Sequence, residues 1–153
     1  MFWKCSHGKS IPIISKIAFL CGILFPMKKF LVKRGLNGLG LYANTDFKKG
    51  EKILEYVGEI ITVDEADRRG GKYLFELDEK WTIDGKSRDN IARYINHSCV
   101  PNCETEVDGK CVFVYTIKKV TAGEELTYDY GKEYFKEYIA PKGCRCPKHA
   151  KKK

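Results

Sequence analysis

RYINHSCVPNC, residues 93–103, crowds Asn96, His97, Ser98, Cys99, Pro101, Asn102 and Cys103 around only two aliphatic positions, Ile95 and Val100. Asn, Ser and Pro favour turns and caps over the interior of a helix or strand. The run is therefore a compact turn, and on its own an Asn-His-Ser triplet is no more than a capped one. What it means is decided by the motifs around it.

The chain has 153 residues, enough for one domain that buries about two-thirds of its unfolded surface. Hydrophobic residues make up 43% and charged residues 31%, the balance of a folded globular protein and not of a disordered one. The net charge of +8 permits an acidic partner, but a lysine-rich solvated surface has the same charge, so no specific nucleic acid is predicted. Seven cysteines at irregular spacing argue against a secreted disulfide framework. They point to a reducing compartment, hence an intracellular, cytoplasmic protein, with a secreted effector acting in a host nucleus as the alternative.

Residues 1–26 differ from the rest, with Lys4, Lys9 and Lys16 as their only charges. Their apolar stretch IAFLCGILF (17–25) is far short of the roughly 20 residues that cross a bilayer, so no membrane span is expected. No small-residue cleavage pattern follows it, as one would after a signal peptide. A targeting segment and an upstream start-site artefact, with Met27 the true beginning, both fit.

From Met27 onward the pattern is of short strands punctuated by glycine. KFLVKR (29–34) and LGLYA (39–43) flank the turn GLNG (35–38), and KILEYVGEII (52–61) reads as one β-rich strand. TVDEADRR (62–69) carries a capping box, Thr62 with Glu65 three residues on, and stops at Gly70-Gly71. YLFEL (73–77) and WTID (81–84) form a strand pair, SRDNIARYIN (87–96) a short helix, CVFVYTI (111–117) a strand and KEYFKEYI (132–139) a short helix. The prediction is one mainly-β domain whose irregular connections carry the polar motifs.

Three further constellations stand out. Gly38-Leu39-Gly40-Leu41-Tyr42-Ala43 matches the dinucleotide fingerprint formally, with Glu59 about 20 residues on, but a turn and a strand follow where that motif needs a helix. What survives is a backbone free to pass close to a ligand, or a plain hairpin turn. GCRCPKH (143–149) supplies three soft or borderline metal ligands where structural zinc takes four, and Cys99 or Cys103 is the available fourth. In LTYDY (126–130), Tyr128 and Tyr130 fall on one face of a strand, as a packed aromatic pair or as hydroxyl tips in a narrow apolar pocket.

RYINHSCVPNC and GEELTYDYG, preceded by G-x-G and followed by the C-x-C tail, resemble the SET-domain protein lysine methyltransferases over about residues 28–149. The resemblance implies small curved sheets, a C-terminal pseudoknot in which the 126–130 region meets the Asn-His-Ser-Cys segment, and a zinc-stapled tail. Residues 27–138 would be the catalytic domain and 139–153 a post-SET-like tail with a basic end. It implies S-adenosylmethionine as cofactor, with Gly38, Leu39 and Gly40 as a backbone wall beside it and Arg93, Tyr94, Asn96 and His97 as the segment that holds it. Tyr73 resembles the aromatic lining of the methyl-transfer channel, Tyr130 the catalytic tyrosine, and Tyr128 the residue that tunes how many methyl groups are added.

The tail departs from the family's C-x-C-x4-C in having His149, early, at its third position. The implied zinc site is Cys99, Cys144, Cys146 and His149, with Cys103 as the substitute ligand. The implied activity is mono- or dimethylation of a lysine on a histone or other basic protein, with Asp64, Glu65 and Asp67 available to meet a basic peptide or simply forming a solvated charged turn. A methyltransferase for a ribosomal or DNA-packaging protein and a catalytically silent SET-like binding module are the rival readings.

Overall fold

The computed structural model describes residues 29–150, so the expected N-terminal extension, residues 1–26, lies outside the described residues. Ten short strands dominate: β1 (Phe30–Gly35), β2 (Gly38–Ala43), β3 (Lys52–Tyr56), β4 (Glu59–Thr62), β5 (Leu74–Glu76), β6 (Trp81–Asp84), β7 (Asn96–His97), β8 (Cys103–Asp108), β9 (Cys111–Thr116) and β10 (Thr127–Tyr128). Helices are few and short: α1 (Val63–Arg69), α2 (Lys132–Tyr134), which a π-helical turn over Phe135–Ile139 continues, and α3 (Pro147–Ala150). Among the described residues no helix is long and apolar enough to cross a membrane.

The strands form four small sheets: the β1–β2 hairpin, the three-stranded β3-β9-β8, the three-stranded β4-β6-β5, and a β7–β10 pair. β9 alternates half-buried and buried residues along its length, and its inner side chains Val112 and Val114 meet Leu41, Phe47, Ile95 and Leu126 in one core. That alternation is what a strand with one face on a core requires. The β7–β10 pair is the only parallel one among the described strands, setting Thr127 against Asn96 and Tyr128 against His97. Ser98 N–H donates to the Tyr128 carbonyl and Asn102 N–H to that of Thr127, so the opening run and the LTYDY run meet as expected.

The helix predicted from the capping box is α1, with the Thr62 hydroxyl accepting from Glu65 N–H at 3.3 Å and Gly70 ending it. Two elements differ from expectation. KILEYVGEII is two strands in two sheets, β3 and β4, broken at Val57-Gly58. A Cβ on Gly58 would lie 2.3 Å from the Asp84 carbonyl oxygen, so glycine is what lets the chain cross from one sheet to the next. SRDNIARYIN yields only a 3-10 turn over Ile91–Tyr94. Its would-be first turn is held by the fully buried Asn90, whose side chain donates to Gly85 O and accepts from Val57 N–H. Those tertiary bonds compete with helical ones.

Candidate active site

A cleft of about 1020 Å³ runs between α1, β5, the 93–97 segment and the chain from Tyr130 to Cys146. That is the upper end of the size range for small-molecule sites. One wall is aromatic. β10 brings in Tyr128, whose ring centroid lies 4.9 Å from that of Tyr130; Tyr134 stands edge-on to Tyr130 at 4.9 Å, and Tyr138 follows at 4.7 Å. The Tyr130 hydroxyl donates to the Ile95 carbonyl at 2.6 Å. Burial, reinforced by neighbouring tyrosines, holds the phenols of Tyr128 and Tyr130 above their ordinary pKa, so both stay neutral hydrogen-bonding groups. Tyr56 is pushed up in the same way by burial and donates to the Tyr73 carbonyl at 2.9 Å.

Across the cleft, the Arg93 guanidinium lies 3.9 Å from the centre of the Tyr73 ring and 5.5 Å from that of Tyr94, a cation–π stack. The Asn96 side-chain nitrogen donates to the Leu39 carbonyl at 3.2 Å and to Glu125 Oε1 at 2.7 Å. Both amide protons are then spent on protein, which leaves the Asn96 oxygen as the free acceptor. Glu125 also accounts for Gly40: a Cβ there would sit 2.3 Å from its Oε1 and 3.1 Å from the Asn96 amide. Gly38 takes φ +97°, which L side chains rarely adopt, and turns the hairpin back so that Leu39 reaches the cleft.

Beneath the aromatic wall, His97 is buried with both ring nitrogens engaged. Nδ1 accepts the Tyr130 backbone N–H at 3.2 Å, and Nε2 lies 3.3 Å from Cys99 Sγ. Desolvation pulls its pKa down against the opposing pull of Asp129, so the ring is neutral near pH 7. The donor atoms of Cys99, Cys144, Cys146 and His149 all lie within 4.8 Å of one another. Cys99 and Cys144 sulfurs are 3.9 Å apart, and Cys146 Sγ is 3.3 Å from His149 Nδ1. A tetrahedral site with metal–sulfur bonds of about 2.3 Å spaces its donors by roughly 3.5–3.8 Å, so the set suits a closed four-coordinate metal ion.

Burial and the neighbouring cysteines push Cys99 up to about 12, whereas at Cys146 hydrogen bonds from the Cys99 backbone, Cys144 and His149 outweigh burial and bring it down to about 6. Cys103 stands apart, fully buried, with its thiol directed to Asn102 Oδ1. His149, not Cys103, is thus the fourth member of the cluster.

Tyr73, Arg93, Tyr94, Asn96, His97, Tyr128, Tyr130, Cys144 and Cys146 all border the one cleft, with Cys99 and His149 just behind it. Sequence reasoning missed Tyr56, Glu125, Tyr134 and Tyr138. The last two are four apart in KEYFKEY and share a helix face, a signal that was there to be read. Nothing local marks Tyr56 or Glu125.

The family model described as SET domain matches residues 38–131. Over 129 residues the chain is 37% identical to histone-lysine N-methyltransferase trithorax of Drosophila virilis, covering 74% of this chain and 3% of that protein. It is 41% identical over 111 residues to the H3 lysine-4 specific histone-lysine N-methyltransferase of Emericella nidulans, covering 64% of this chain and 9% of that protein. With the protein of the same description in Schizosaccharomyces pombe the identity is 42% over 108 residues, covering 62% and 12%. The matches thus span only a small fraction of these relatives' lengths.

Proposed function

The chain belongs to the SET-domain family, and we propose that it methylates a lysine side chain of a protein, using S-adenosylmethionine. Residues 27–138 form the catalytic domain in this reading and 139–153 the tail. The observation that carries it is the meeting of the Tyr128, Tyr130 and Tyr134 rings with the Asn96–His97 segment in one cleft. S-adenosylmethionine supplies the methyl group on a sulfonium.

The chain's own residues do the rest. Asn96, its amide locked by Leu39 and Glu125, offers its oxygen to a donor of the cofactor. Arg93, Tyr94, Leu39 and His97 border the space beside it, with Gly38 and Gly40 flanking Leu39 on β2. Only a neutral amine can attack, and a lysine with an ordinary pKa near about 10.4 is almost wholly protonated at neutral pH. The buried rings of Tyr56 and Tyr128 and the partly buried ring of Tyr130, with Tyr73 at the entrance, disfavour the ammonium by desolvation. Tyr130 need not remove the proton; its hydroxyl and the Ile95 carbonyl orient the methyl and the amine, and alignment is worth up to roughly 7–11 kcal/mol. Cys99, Cys144, Cys146 and His149 would hold zinc, which would fasten the tail beside the cleft.

The relatives' names favour a histone or histone-like substrate. Unpaired Asp67 on α1 borders the cleft and suits a basic peptide. With Tyr128 occupying part of the channel, the product is mono- and dimethyllysine. The test is transfer of labelled methyl groups to purified histones and to a bacterial lysate, by wild type and by Tyr130→Phe. Label on a histone that vanishes in the variant supports the reading, and label on a lysate protein alone redirects it to a non-histone substrate. Cofactor binding without label on any protein, or neither, turns it to a silent binding module. Mass spectrometry showing trimethyllysine as the main wild-type product would overturn the assignment of Tyr128; Tyr128→Phe is expected to shift product toward trimethyllysine.

A further inference from the structure

One side chain stands between the metal-binding cluster and the aromatic wall. His97 accepts the Tyr130 backbone N–H on Nδ1 at 3.2 Å, so in the neutral ring the proton sits on Nε2, 3.3 Å from Cys99 Sγ. The ring has little freedom to leave this arrangement: it is 7% exposed, edge-on to Tyr130 at 5.5 Å and tilted against Phe135 at 5.3 Å. The Asp129 carboxylate is 3.6 Å from Nδ1 and mostly exposed, so it does not displace the backbone donor.

We propose that His97 is a positioning residue that joins the metal centre to the backbone of Tyr130, so that metal occupancy in the tail sets where the Tyr130 phenol lies in the cleft. This rests on reading the cluster as a zinc site and Tyr130 as the orienting tyrosine. A metal-bound Cys99 sulfur is a fixed anionic acceptor for Nε2–H, and such outer partners hold a ligand and are held by it in turn. The same ring then fixes the Tyr130 amide. Residues 97, 99 and 130 thereby form one continuous chain of contacts from the tail to the Ile95 carbonyl.

The test does not depend on methyl transfer. In the zinc-loaded, nitrogen-15-labelled wild type, the His97 imidazole is expected to show a single neutral tautomer protonated on Nε2. Stripping zinc with a chelator is expected to move the Tyr130 amide resonance. His97→Gln is expected to hold zinc roughly 10–100-fold less tightly in competition with a chromophoric chelator. In that variant, when zinc-saturated, the amide of residue 130 should no longer respond to metal removal. An imidazole protonated on Nδ1, a Tyr130 amide indifferent to zinc in the wild type, or wild-type zinc affinity in His97→Gln would each overturn the proposal. So would a chain that binds no zinc. Activity lost through an unsuitable substrate leaves all four readouts intact, so the failure of the methyltransferase reading is distinguishable.

Discussion

The Tyr130 hydroxyl and the Ile95 carbonyl are joined by a 2.6 Å hydrogen bond that closes the inner end of the aromatic wall. The carbonyl belongs to a residue 1% exposed, and the donor reaches it from 35 positions further along the chain. In Tyr130→Phe the carbonyl loses its partner, at a cost of about 1–3 kcal/mol in stability. Methyl transfer at saturating cofactor is expected to fall by about 100-fold or more, since misplacement of this order is felt that strongly. Calorimetric titration of the cofactor should show little change in affinity. Because burial holds the phenol above its ordinary pKa, no limb of the wild-type pH–rate profile below pH 10 should disappear in the variant.

Glu125 and Gly40 act on the same amide. Glu125→Ala frees Asn96 to rotate and removes a charged hydrogen bond, so cofactor affinity should fall by about 10-fold or more, with the rate at saturation nearly unchanged. Gly40→Ala drives a methyl into the Glu125 carboxylate and displaces it. Binding measurements on the double variant should therefore show less than the sum of the two losses, the mark of a shared network.

The free cysteines of the described residues divide into two chemical kinds. Cys146→Ser and Cys144→Ser are each expected to abolish stoichiometric zinc by elemental measurement, while Cys103→Ala retains it and loses only about 1–2 kcal/mol of stability to the small cavity left behind. Native Cys103, its thiol pushed up to about 12 by burial, should resist alkylation at pH 8 until the chain is unfolded.

Acid stability should report on α1. Arg69 binds Glu65, Glu59 and the buried Asp84 at 2.8, 2.6 and 3.1 Å, tying the helix that borders the cleft to β4 and β6. At Asp84 burial raises the pKa, but the hydrogen bonds from Lys86 and Arg69 outweigh it and the net shift is downward. A depressed carboxylate contributes stability that is present above its unfolded pKa of about 3.9 and is lost as pH falls through the lower folded value. The urea midpoint of the wild type should decline on going from pH 5 toward pH 2. Arg69→Ala should start lower at pH 7 and decline less steeply.

How far the sequence foretold all this depended on how local each cause was. The Thr62 cap and the β1–β2 turn are decided within a few residues, and both lie where expected. The cysteine–histidine cluster was legible because ligand chemistry restricts the choice of residue, though only packing could separate His149 from Cys103. The break at Gly58 was not legible, because its cause is the Asp84 carbonyl some 26 positions away. Asn90, read as part of a helix, bonds to Val57 and Gly85, contacts no periodicity reveals. The His97 imidazole faces the sulfur of Cys99 and the amide of Tyr130, a placement that no local pattern marks.

The pairing of β7 with β10 has a consequence for how such a chain acquires its activity. Each strand is two residues long, and the whole β8–β9 hairpin lies between them in sequence. Two short parallel strands stabilise themselves poorly, so the pair gains its support only after that hairpin and the core beneath it have closed. Asn96, proposed to bind the cofactor, sits on one partner of this join, and Tyr130, proposed to align the methyl, lies two residues beyond the other. A newly made chain would be compact before it is competent, and during refolding, cofactor binding should lag the burial of the core.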